Sequence, residues 1–160
     1  AATVECGKLA LSFLPNVEVV TILLALYGYV FGWYGVIAAG VFVCIEPMIY
    51  GFGPWFITYI LYWPFVAFAF MILSKMNVKK VWVIVSCATL LTFSFGVLSS
   101  AIDAAFYLGI NANYPSNLLI YYARGIVFYV VQLACNIVLF STVFRYFAGK
   151  LTILKSKMPM

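Results

Sequence analysis

Histidine is absent from the 160 residues, and charge is scarce: four acidic and nine basic side chains make up 8% of the chain. Without histidine the chain lacks the commonest metal ligand and the commonest general base. Cys6, Cys44, Cys87 and Cys135 stand singly in apolar surroundings, with no CxxC pair. Zinc, haem and disulfide arrangements therefore lack their ligand spacing, and the thiols read as small hydrophobes. No GxSxG, HExxH, glycine-rich phosphate loop or aspartate pair occurs. An enzyme is not expected on these grounds, nor is a metal, a cofactor or ATP hydrolysis by this chain itself. No basic stretch opens the sequence, so no signal peptide is read.

What is present is apolar. The chain is 67% hydrophobic with a mean hydropathy of +1.13. A soluble domain is roughly a quarter charged. A water-soluble fold of this length has too little interior for so much apolar surface, so lipid is the solvent. The net charge of +5 is then no nucleic-acid footprint, since no basic stripe is interleaved with aromatics on a polar face.

A membrane-crossing helix needs about 20 apolar residues. Six segments are predicted. They run from Ala2 to Phe13 (short, and read as truncated), Val17 to Phe31, Val36 to Ile49, Trp55 to Leu73, Val81 to Phe106 and Leu118 to Phe147. Pro15-Asn16, Gly32-Trp33-Tyr34-Gly35, Tyr50-Gly51-Phe52-Gly53-Pro54, the basic Ser74–Lys80 stretch and the polar Leu108–Asn117 stretch separate them. Pro64 is expected to kink the fourth. No β-barrel alternation, repeat or linker is visible. The prediction is an all-α integral membrane bundle of six transmembrane helices, forming a single membrane domain over 1–160.

The charges orient it. Lys75, Lys79 and Lys80 share one side with Arg145, Lys150, Lys155 and Lys157, whereas Glu18, Glu46 and Asp103 lie near the opposite ends of the segments. By the positive-inside rule both termini are cytoplasmic, and the loops near Pro15, Gly53 and Asn113 face outward.

Small residues recur at helical spacing. Ala2, Cys6 and Ala10 lie four apart on the first segment. Thr21, Ala25, Gly28 and Gly32 follow on the second, and Thr89, Thr92, Gly96, Ser99 and Ser100 on the fifth. Such stripes let helix backbones approach in lipid. Each is read as internal packing, with the first stripe the best candidate for facing another membrane protein.

Ionisable groups within membrane segments are costly and face a partner, the bundle interior or water. Glu5 and Lys8, three apart, are read as an intrahelical pair. Glu18 caps the second segment or meets a ligand. Glu46, Asp103 and Arg124 share a depth near the outer face, as an outer cavity or as an ion-pair network. Arg124, Phe128, Gln132 and Asn136 form a slowly drifting stripe on the sixth segment. Its amides need interhelical partners or a ligand. Trp55, Tyr59, Tyr62 and Trp63 make an aromatic stripe on the fourth, suited to the interface or to stacking on a flat ligand.

Three stretches together resemble the substrate-binding (S) components of energy-coupling factor vitamin transporters, along nearly the whole chain. They are Gly7-Lys8-Leu9-Ala10-Leu11-Ser12-Phe13-Leu14-Pro15-Asn16-Val17-Glu18, the Tyr50-Gly51-Phe52-Gly53 turn, and Gly125-Ile126-Val127-Phe128 through Asn136. The family's last stretch reads G-I-P-F-D-x-x-H-x-x-x-N. Gly125, Phe128 and Asn136 match it, while Tyr129 stands at the Asp and Gln132 at the His. The resemblance implies a bacterial plasma-membrane subunit that captures a vitamin-like molecule near its outer face. It implies ligand contacts from Asn16, Glu18, Glu46, Tyr50, Trp55, Tyr59, Asp103, Arg124, Phe128, Gln132 and Asn136. It also implies delivery through a T component energised by two cytoplasmic ATPases, with Ala2, Cys6 and Ala10 contacting the T component. A structural or regulatory membrane subunit without ligand, and an autonomous small carrier, are the alternative expectations.

Overall fold

The computed structural model describes residues 1–11 and 19–157, and every regular element among them is an α-helix. The order is α1 (Ala2–Ala10), α2 (Val20–Phe31), α3 (Trp33–Tyr50), α4 (Trp55–Lys75), α5 (Val81–Leu108), α6 (Tyr114–Thr142) and α7 (Phe144–Ser156). The predicted segment ends at Phe13 and Val17 lie outside the described residues. Helices α3 to α6 are each long and apolar enough to cross a membrane. At 1.5 Å per residue α3 is about 27 Å long and α6 about 44 Å, against a hydrocarbon core of about 30 Å. The 12 residues of α2 reach only about 18 Å, and α1 is shorter still.

Backbone chemistry explains the breaks. The predicted four-residue interruption at 32–35 narrows to one residue. Gly32 takes φ +62, a conformation side chains rarely adopt, and Trp33 already begins α3. The chain thereby turns from α2 straight into α3. Helix α3 ends at Gly51, whose N–H donates to the Pro47 carbonyl at 3.0 Å. Helix α4 continues through Pro64. At the far end of α5 the Asn111 amide donates to the Leu108 carbonyl, and its side-chain oxygen accepts from the Asn113 N–H at 2.9 Å. This is the local turn asparagine favours.

The sixth predicted segment divides. Helix α6 stops at Thr142, and α7 continues after Val143 with Phe144 and Ala148 buried and Arg145 and Lys150 exposed. Lys155 of α7 donates to the Val30 carbonyl at 2.8 Å. Carbonyls in the last turn of a helix have no intrahelical partner, so a cation there satisfies an acceptor and complements the helix dipole.

Helices α2, α3 and α4 pack against one another, and α5 and α6 form a hairpin that touches α4. Space, rather than expulsion of apolar surface from water, sets these contacts in lipid. A Cβ on Gly28 would overlap the Ala67 carbonyl, so α2 and α4 touch backbone to backbone. In the hairpin the Tyr129 ring lies over Gly96 of α5 and Gly125 of its own helix, where any Cβ would fall within 3 Å of it. The Tyr129 hydroxyl is 3.1 Å from the Ser100 hydroxyl. The small-residue stripes of the second and fifth segments thus serve internal packing, as expected. Phe95 of α5 joins the hairpin to α4 through Tyr59, Tyr62 and Trp63.

Candidate functional site

The charged centre of the molecule is built by α1 and α3. Glu46 is 1% exposed. It lies one turn beyond the buried Phe42 on the same face of α3, with Ala39 and Val43 also buried nearby. Its Oε2 accepts from the Lys8 ammonium of α1.

The pair joins residues 38 apart in sequence. The expected partner of Lys8 is Glu5, within α1, but the ammonium reaches Glu46 instead. The Glu5 carboxyl is buried within electrostatic reach of Glu46. The Lys8 ammonium also sits 4.1 Å from the Tyr50 ring centroid and 6.0 Å from that of Tyr59, close enough for cation–π attraction.

From Tyr59 an aromatic wall extends along α4. Its ring meets Trp55 at 5.1 Å and Trp63 at 5.5 Å, and Trp63 in turn meets Phe42 of α3 at 6.4 Å. The four-residue spacing of Trp55, Tyr59 and Trp63 places them on one helix face.

Several buried polar atoms here have no hydrogen-bond partner among the described residues. They are Glu46 Oε1, both Glu5 carboxyl oxygens and the Trp63 indole N–H. Buried polar groups are normally paired. An ammonium, two carboxyls and an indole beside rings packed edge to face can together recognise a flat molecule that carries donors and acceptors.

The sequence-predicted residues divide. Glu46, Tyr50, Tyr59 and, through Tyr59, Trp55 come together at this centre. Asp103 is half-buried on α5 and Arg124 is exposed on α6, with its guanidinium 5.7 Å from the Tyr121 ring. Lys8–Glu46 is the one salt bridge among the described residues, so the predicted network of Glu46, Asp103 and Arg124 is not formed there. Phe128 is exposed, whereas Gln132 and Asn136 are buried. A step of four residues turns about 40° past a full helical turn, so three steps carry the stripe from the outer surface into the seam with α5. Asn136 there donates to the Thr92 hydroxyl at 3.0 Å. Asn16 and Glu18 lie outside the described residues. Ala2, Cys6 and Ala10 are all exposed on α1, on the side away from buried Val4 and Glu5.

Sequence reasoning missed Lys8 as the partner of Glu46, and Phe42 and Phe95 as parts of the aromatic wall. No local spacing signals a contact across 38 residues. The need to neutralise a buried carboxylate with one of the two cations outside the basic cluster, Lys8 or Arg124, was the available hint.

No protein-family profile, curated protein or solved structure matches this chain.

Proposed function

We propose that this chain is the substrate-capture subunit of an energy-coupling-factor-type importer in a bacterial plasma membrane. In this reading six segments sit in the membrane with both ends on the basic, cytoplasmic side. A vitamin-like heteroaromatic molecule binds at the opposite end and passes through a T component driven by two ATPase subunits. The chain itself performs no catalysis.

The observation that supports this reading is the set of unpartnered polar atoms around Lys8–Glu46, beside the Trp55–Tyr59–Trp63 wall. Such atoms cost stability unless something bonds to them. The rings supply stacking, and the ammonium and carboxyls supply orientation. The exposed Ala2, Cys6 and Ala10 face gives the T component a close-approach surface on α1.

Mass spectrometry of extracts from protein purified in mild detergent tests the function. A near-stoichiometric heteroaromatic compound is the expected result. An empty extract, together with no thermal shift across a vitamin panel, would sink the capture reading.

A further inference from the structure

Seven cations gather at one end of the bundle: Lys75, Lys79 and Lys80 around the α4–α5 turn, and Arg145, Lys150, Lys155 and Lys157 on and after α7. The described carboxylates Glu5, Glu46 and Asp103 are elsewhere, the last near the far end of the 28-residue α5. Protein counter-charge is therefore missing at this end among the described residues. Lys155 is engaged by the Val30 carbonyl, and Lys150 lies 5.6 Å from the Tyr146 ring.

Lys79 and Arg145 differ from the rest because they line a cavity of about 210 Å³ between α2, α5 and α7. Neither makes an ion pair among the described residues. Ile84 and Phe144 give the cavity an apolar wall, and Tyr29 and Thr152, whose hydroxyls donate to the Val78 and Ala148 carbonyls, complete its lining. The Tyr29 hydroxyl is held by donation to the Val78 carbonyl at 2.9 Å, which fixes the turn carrying Lys79. The first turn of α5, with Lys80 as its N-cap, adds the partial positive charge of its free N–H groups.

Pockets for drug-sized ligands run from about 300 to 1,000 Å³, and this smaller cavity has room for a headgroup-sized anion. We propose that it holds a phosphate group, with Lys79 and Arg145 as its charge partners. An anionic phospholipid would present that group at the membrane surface with its glycerol against the apolar wall. Free phosphate offers the same chemistry from solution. This inference does not depend on the capture function.

Native mass spectrometry of the purified chain, mixed with phosphatidylglycerol or phosphatidylcholine, tests it. The expected result is one retained phosphatidylglycerol in preference to phosphatidylcholine. Lys79→Gln with Arg145→Gln should weaken that retention about thirtyfold, as two surface electrostatic contacts would. Lys75→Gln with Lys150→Gln removes the same charge outside the cavity and should leave retention unchanged, and Lys79→Arg should keep it. Helix content by circular dichroism checks that each variant is folded. A second arm measures thermal shift with inorganic phosphate alone. A shift that disappears in the Lys79→Gln, Arg145→Gln double variant identifies free phosphate as a source and supports the site. Equal retention by the two double variants, or no preference for phosphatidylglycerol with no phosphate shift, overturns it.

Discussion

The Asn136 amide on α6 donates to the Thr92 hydroxyl on α5 at 3.0 Å, and Thr92 donates in turn to the Ala88 carbonyl at 2.8 Å. A chain of two bonds thus crosses the hairpin and ends on the backbone of α5. The Asn136 side-chain oxygen, buried beside it, has no partner among the described residues. Asn136→Leu removes the bond and the unmet acceptor together, so a stability loss below about 1 kcal/mol is expected. Asn136→Ala leaves a cavity and should cost about 2 kcal/mol or more. Thermal unfolding in detergent measures both. Loss of ligand from Asn136→Leu at unchanged stability would assign the free oxygen to ligand contact.

The Lys8–Glu46 pair should show the asymmetry of buried ions. Lys8→Ala strands a buried carboxylate and is expected to cost about 3–5 kcal/mol, while Lys8→Met with Glu46→Leu should recover most of that. Chemical denaturation separates the outcomes. Ligand binding should be lost in both if the pair orients the ligand. Retained binding in the double variant would move the site elsewhere.

Gly28 and Gly40 make a matched pair. A Cβ on Gly28 collides with the α4 backbone, whereas one on Gly40 meets nothing within 4 Å. Gly28→Ala should destabilise by about 1–3 kcal/mol or more. Gly40→Ala should be neutral or stabilising by up to about 1 kcal/mol. Equal melting temperatures for the two would contradict the backbone contact between α2 and α4.

Cys6→Trp places a large ring on the exposed face of α1. Folding and ligand retention should persist, while copurification with a T component and ATPases should fail. Intact copurification would remove α1 from the proposed docking surface.

Arg124→Ala, on the exposed side of α6, should change stability by no more than about 0.5 kcal/mol. A large loss of ligand affinity from that variant would restore Arg124 to the site.

Much of the helical outline is legible in the sequence because glycine, proline and lysine punctuate it. The Gly51–Pro54 turn and the Lys75–Lys80 stretch mark helix ends in the structure too, whereas the expected Leu108–Asn117 loop shrinks, because α6 already begins at Tyr114 with Pro115 in its first turn. The break at Val143 is not legible, since neither glycine nor proline marks it. The stripe from Arg124 to Asn136 can be read as a spacing but not as a face, because its drift accumulates over three steps. Glu46 stands out as a costly intramembrane ion, yet its partner depends on how α1 packs on α3. The role of Tyr129 is likewise invisible in spacing, because its ring occupies the space left by two glycines, one of them on another helix.

The bond from Lys155 to Val30 also has a meaning in time. It joins positions 125 residues apart. At synthesis rates of about 5–20 residues per second, Val30 emerges roughly 6–25 s before its cap exists. Through that interval the last turn of α2 keeps an open carbonyl, which water or lipid headgroups must satisfy. Helix α2 is therefore laid down early but latched late.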